Sequence, residues 1–283
     1  MNRLFAAYLL LSGLALLGPH RPAAWPLLAL VHLLAAAWLL KSRDASSSRI
    51  ASHRLSSALV FYPLVVMPLL YAELPLLNQS LYGGHYFDDT LIRWERALFG
   101  FEPARELAPR MPARWLSETL LACYVSYYLI IYAPPLLIAW KHGRRALRDA
   151  VFALSLVFFA HYLFFVWLPV EGPRYRFASP VPLDARGPVY ALAHTLLEAG
   201  SSRGAAFPSS HVGVSVVATM VCWRWLRPLT PVVAGLTIGL AVGAVYGGFH
   251  YGIDALAGAV FGALLGAIAP ALQRRLEPDF HRS

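Results

Sequence analysis

The sequence predicts an all-α, polytopic membrane protein, and three observations carry that prediction. Hydrophobic residues make up 58% of the 283 residues and charged residues 14%, with a mean hydropathy of +0.54. Average soluble domains are about 25% charged, so this composition argues against a soluble enzyme, a disordered chain and a nucleic-acid binder. The apolar residues are gathered into runs about as long as a membrane-spanning helix, which needs roughly 20 of them. The charges sit in short clusters between those runs. A net charge of +9 and a pI of about 9.8 would suit a nucleic-acid partner in a soluble protein; in this pattern they are a topology signal.

Eight runs read as spans, at 4–18, 22–40, 56–78, 116–140, 147–169, 209–227, 231–248 and 252–271. The first is short enough to suggest a secretory leader. Only Gly18 to Arg21 separate it from the second, so we read 1–50 as a tight transmembrane hairpin and 51–283 as a membrane core with an insert at 79–115. Alternating the spans with a cytoplasmic C-terminus puts 14 of the 24 Lys and Arg residues inside: Arg3, the 41–55 and 141–149 loops, Arg224, Arg227 and the 273–283 tail. Only Asp44, Asp149, Glu277 and Asp279 oppose them. The positive-inside rule then places both termini in the cytoplasm. It places the two longest loops, 79–115 and 170–208, on the outer, periplasmic side. Arginine dominates, with Lys41 and Lys141 as the lysines, a usage that points to a bacterial inner membrane.

Within the first long loop, Asp88 or Asp89 is positioned to cap a short helix through about Phe99. Leu91, Trp94 and Leu98 share one face of it, so the helix either lies on the outer membrane surface or is solvated. In the last two spans, glycines recur every four positions: Gly235, Gly239, Gly243 and Gly247, then Gly258, Gly262 and Gly266. Such rows let helix backbones approach closely in lipid, and we read them as packing. Cys123 and Cys222 fall toward opposite membrane faces, beyond the short reach of a disulfide, and no spacing suggests a zinc site. His161 lies inside the fifth span, where an ionisable group is either functional or bonded to a neighbouring helix. Glu73 and Glu118, near the outer ends of their spans, are placed to contact a head group or to pair with arginines of 79–115.

Polar residues converge at the outer end. The fifth span runs into Glu171-Gly172-Pro173-Arg174-Tyr175-Arg176, the sixth opens at Phe207-Pro208-Ser209-Ser210-His211, the seventh ends at Tyr246-Gly247-Gly248-Phe249-His250, and Asp254 opens the eighth. His250 and Asp254, four apart, share a helix face. The carboxylate can hold one imidazole nitrogen and leave the other lone pair as nucleophile or base. Alone, the pair is equally a capping Asp beside an interfacial His. Ser209, Ser210 and His211 open a helix whose N–H groups can bind an anion, with His211 as a general acid; alone, Ser209 is an N-cap. Arg174 and Arg176 suit phosphate oxygens, or serve as interfacial anchors. Together these parts suit phosphoryl transfer, and there is no P-loop and no acidic metal cage.

At these residues the sequence resembles the type 2 phosphatidic acid phosphatase superfamily. Pro208-Ser209-Ser210-His211 matches its second motif, Pro-Ser-Gly-His, with Ser210 in place of Gly, and Tyr246 to Asp254 matches the third, which ends His, three residues, Asp. The likeness is clear over about 145–271. The first motif departs: no Lys lies near, and Pro173-Arg174 reverses the usual Arg-Pro. The third usually begins Ser-Arg where this chain has Gly243 and Ala244, so one phosphate-binding Arg is missing, with Arg176 or Arg186 as replacements. This variant, and the segment Phe87-Asp88-Asp89 through Trp94 to Gly100, is similar to the branch containing inositol phosphorylceramide synthases.

The resemblance implies a six-helix phosphatase-like core and a lipid phosphate as substrate, with no metal and no cofactor. It implies that His250 attacks phosphorus and forms a phosphohistidine, that Asp254 orients His250, and that His211 protonates the leaving alcohol and then activates the acceptor. Ser209, the backbone of Ser210, Arg174 and secondarily Arg176 would bind phosphate oxygens. Hydrolysis of a lipid phosphate at the outer face is the leading expectation. Head-group transfer to an alcohol is the alternative, and a non-catalytic scramblase or assembly factor is a third.

Overall fold

The computed structural model describes residues 1–42 and 59–278. The expected hairpin–core boundary at 50/51, the start of the third run, the basic positions of 43–55 and the tail from 279 lie outside the described residues. Within them the chain is helical with no strand, save one isolated bridge between Val170 and Ala205. The helices of eight residues or more among the described residues are α1 (Asn2–Gly13), α2 (Trp25–Lys41), α3 (Tyr62–Tyr82), α4 (Asp88–Phe99), α5 (Pro103–Arg110), α6 (Arg114–Val125), α7 (Tyr127–Trp167), α8 (Pro188–Gly200), α9 (Ser210–Trp225), α10 (Thr230–Tyr246) and α11 (Gly252–Leu276).

Among the described residues, four helical segments are long and apolar enough to cross a membrane: Tyr62–Tyr82, Tyr127–Trp167, Arg227–Tyr246 and Gly252–Leu276. Asn2–Leu17 and Trp25–Lys41 are apolar but shorter. The Tyr127–Trp167 segment takes in parts of two expected runs. Gly143 breaks it, at φ 75° and ψ −169°, a backbone conformation open to glycine because it has no Cβ. The loop expected at 141–149 is thereby reduced to that one residue, with helix on both sides. The fourth run is itself divided, since α6 meets α7 at Ser126. Two further helices, α5 and α8, lie inside stretches read as loops. Both begin with a proline at the first turn, where its missing N–H costs nothing.

The central helix is α9, packed against α7, α10 and α11. Its contact with α11 is a backbone approach. A Cβ on Gly258 would collide with the Ser209 carbonyl, and one on Gly262 with the Gly213 carbonyl. On α10, Gly239 rests on Cys123 and Gly243 on the backbone of Leu120 in α6, whereas Gly235 faces open space. The glycine rows are therefore helix contacts, apart from Gly235 and from Gly247, which meets the Phe249 ring of its own turn. Their consequence is to hold the N-terminus of α9 against that of α11, where the Ser209 N–H donates to the Asp254 carbonyl at 3.0 Å.

Two polar residues read as possible site groups, Glu73 and Glu118, serve the scaffold, and so does His32. His32 on α2 bridges the Leu9 carbonyl at 3.0 Å and the Glu73 carboxylate at 2.9 Å. Glu73 thus holds the α1–α2 hairpin to α3 instead of an arginine of 79–115. Phe5 and Tyr8 of the same hairpin pack on Phe159 of α7, ring centroids 5.0 and 4.8 Å apart. Glu118 accepts from the N–H groups of Val189 and Tyr190 at 2.9 and 3.0 Å, satisfying donors that a helix start leaves unpaired. Cys123 and Cys222 are both free.

Candidate active site

Three chain segments separated by sequence are stitched together by backbone hydrogen bonds at one end of the bundle. Val170 N–H donates to the Gly204 carbonyl at 3.2 Å and Ala206 N–H to the Val170 carbonyl at 2.9 Å. Ser209 N–H reaches Asp254, as above. The 170–176, 204–211 and 246–254 segments therefore form one unit.

His250 lies on the turn after α10 and is 4% exposed. Its Nδ1 is 3.1 Å from the Ala206 carbonyl and 3.5 Å from Asp254 Oδ2. A carbonyl oxygen can only accept, so Nδ1 carries the proton and Nε2 the lone pair. Nε2 has no hydrogen bond among the described residues. The expected partner Asp254 is present, but the Ala206 carbonyl is the nearer group. Asp254 is fully buried and also accepts from the Tyr251 N–H at 2.8 Å in a capping box. The helix-capping and histidine-orienting readings thus describe the same carboxylate.

His211 faces His250, ring centroids 5.6 Å apart. Tyr124 and Tyr127 pack on the His211 ring, with centroids at 5.1 and 4.3 Å, and the Tyr124 hydroxyl is 3.4 Å from Nε2. Nδ1 of His211 is buried with no partner among the described residues. Beside Ser210 and His211 opens a cavity of about 210 Å³, walled by Tyr71, Tyr127, Tyr128, Phe158, Tyr162 and Leu197. Ser209 is fully buried and caps α9, its Oγ accepting from the Val212 N–H at 3.4 Å.

The arginines part company. Arg174 donates to Ser201 Oγ at 3.1 Å, and Ser201 borders the cavity beside His211. Arg176 pairs with Asp89 at 2.6 Å in a separate polar recess with His20, His85, Glu171 and Arg203. Arg186 donates to the Val181 carbonyl and covers Tyr190. His194 on α8 stacks near Tyr190 and Phe249. Burial and the cations Arg174 and Arg186 hold its imidazole below the usual histidine range. His161 bonds the Val157 carbonyl of its own helix at 2.7 Å and packs on Gly213.

Sequence reasoning missed several of these groups. The Ala206 carbonyl and the Tyr124–Tyr127 pair leave no motif, although the tyrosine-rich stretch 124–132 marks the wall. The 88–99 helix forms as expected, but Phe87 is its N-cap and no side chain caps it. Its buried face is Asp88, Leu91 and Glu95, while Trp94 and Leu98 are exposed. Asp88 accepts from the N–H groups of Glu171 and Gly172, each at 2.9 Å. Glu95 accepts from the Gly252 N–H at 3.1 Å, and burial pushes its carboxyl up to about 7.

No curated protein and no solved structure matches the chain. A family model described as the PAP2 superfamily matches residues 89–268. That stretch includes His211, His250, Asp254 and all three arginines considered above. With apolar helices long enough to span a bilayer and a match over more than half its length, the chain belongs to the PAP2 superfamily of phosphoryl-transfer enzymes.

Proposed function

We propose that the protein hydrolyses a lipid phosphate or diphosphate at the outer membrane face, without a metal, through a phosphohistidine on His250. The observation that carries the reading is the hydrogen-bonded Nδ1 of His250 with its unspent Nε2 beside His211. In the first half-reaction, the Nε2 lone pair attacks phosphorus as the bond from phosphorus to the leaving oxygen breaks. His211 gives that oxygen a proton, so an alcohol departs from a lipid monophosphate, or the lipid monophosphate from a diphosphate. Asp254 stabilises the positive charge that His250 gains. In the second half-reaction, His211 takes a proton from water. The resulting oxygen attacks phosphorus, the N–P bond breaks, and its electron pair returns to Nε2 as inorganic phosphate leaves.

Arg174 supplies positive charge for the phosphate oxygens, with the α9 N-terminus as a second anion-binding element. Ser210 lies at that N-terminus. The apolar, aromatic walls beside His211 suit the hydrocarbon part of a lipid. The charge asymmetry of the sequence supports an outer-face site and cytoplasmic termini.

The test is phosphate release by purified protein from phosphatidic acid and from a polyprenyl diphosphate in mixed micelles containing EDTA. Wild-type protein should release phosphate and His250→Ala should not. Full activity in that variant overturns the reading. Product formed only after an alcohol such as inositol is added would replace hydrolysis by head-group transfer.

A further inference from the structure

We infer that Asp88 is a positioning residue that ties the turn carrying Arg174 to the turn carrying His250 and Asp254. Asp88 is 0% exposed. Its Oδ2 accepts from the Glu171 N–H at 2.9 Å, and its Oδ1 accepts both the Gly172 N–H at 2.9 Å and the Tyr251 hydroxyl at 3.0 Å. Gly172 stands two residues before Arg174, and Tyr251 directly follows His250. One carboxylate thus bridges two turns that are some 80 positions apart in the chain. Gly172 adopts φ 91°, and a Cβ there would press on the Phe249 carbonyl at 3.1 Å, so the two turns also touch directly.

The helix that carries Asp88 repeats the contact. Glu95, seven residues on and on the same face, takes the Gly252 N–H. Helix α4 therefore holds the 251–252 backbone and side chain at two points and the 171–172 backbone through Asp88. No cation pairs with Asp88 among the described residues. Three neutral donors and the α4 N-terminus, whose dipole favours an anion, satisfy it. A group so placed governs where Arg174 holds a phosphate relative to the attacking nitrogen of His250. Misplacement by about 1 Å costs roughly 10²-fold in rate. Nothing in this arrangement puts Asp88 in contact with the reacting atoms. It acts through the two turns. Its kinetic consequence rests on the phosphatase reading; its mechanical consequence does not.

The experiment compares Asp88→Asn and Tyr251→Phe with wild-type protein and with Arg93→Ala, on the exposed side of α4. Amide hydrogen exchange is read in peptides covering 170–176 and 249–254, together with kcat, KM and melting temperature. Asp88→Asn should speed exchange in both peptides and lower kcat/KM about 10- to 100-fold. Tyr251→Phe cuts only the link to the His250 turn. It should speed exchange in 249–254 alone and lower kcat severalfold, with KM within twofold of wild type and melting temperature unchanged; loss of folded enzyme would also lower apparent kcat at constant KM, but with faster exchange throughout and a lower melting temperature. Arg93→Ala should change neither.

Faster exchange in one turn only after Asp88→Asn overturns the tie. Looser turns with unchanged kcat and KM overturn the positioning role. If Asp88→Asn does not fold, Tyr251→Phe decides: equal changes in kcat and KM, or none, overturn the proposal. Absence of phosphate release by wild-type protein would overturn the phosphatase reading, and the exchange data would then support or overturn the tie alone.

Discussion

His32 and His250 are each 4% exposed, and each has a carboxylate beside one ring nitrogen. At His32 both nitrogens are spent, one on the Leu9 carbonyl and one on Glu73. The pair joins α2 to α1 and α3, and nothing is left for a ligand. At His250 a single nitrogen faces both the Ala206 carbonyl and Asp254, and the second stays unbonded among the described residues, next to His211. Burial beside a carboxylate is therefore no mark of a reactive histidine. What distinguishes His250, which we propose to be reactive, is the nitrogen that the fold leaves unused.

The largest expected effect divides the two pairs. His250→Ala should lower phosphate release on the order of 10³-fold or more, beyond the roughly 3 kcal/mol of stability it costs by stranding the buried Asp254. His32→Ala should leave turnover within about twofold yet cost about 3 kcal/mol of stability, because it strands a buried partner; thermal denaturation in detergent measures it. Loss of turnover in a His32→Ala protein of normal stability would erase the distinction. Asp254→Asn, which keeps shape but removes charge, should lower kcat about 10²-fold with KM near wild type. Its counterpart Glu73→Gln should leave kcat alone.

A smaller contrast concerns the glycine rows. Gly262→Ala forces a methyl group into the Gly213 carbonyl and should cost about 1–3 kcal/mol. Gly235→Ala meets nothing within 4 Å and should gain up to about 1 kcal/mol from better helix propensity. Melting temperatures of the two variants check this.

A further effect is a pH dependence at Glu95. Its folded-state pKa is raised by burial from 4.5 to about 7, so folding favours the protonated acid. That stabilisation is full below about pH 4.5 and is lost as pH rises to about 7. Glu95→Gln, which mimics the protonated form, should flatten the melting-temperature profile between about pH 5 and pH 7. An unchanged slope would show that another group sets it.

Much of this protein is written along its chain. Composition and run length specify a helical membrane protein because only helices satisfy their backbone within one segment in lipid. The glycine spacing announces which helix faces meet. His211, His250 and Asp254 are legible because the proposed nucleophile, acid and orienting carboxylate must be specific side chains, and two of them lie one helical turn apart. Other features depend on contacts between distant segments. The Ala206 carbonyl that sets the His250 tautomer is a backbone atom and has no letter in the sequence. Asp88 and Asp89 are identical neighbours, yet one ties two turns inside the protein and the other pairs with Arg176 at the surface. Arg174 and Arg176, two positions apart, likewise take different partners. Helical register decides which way adjacent side chains point, but only the packing of α4 against the two turns decides what they find there.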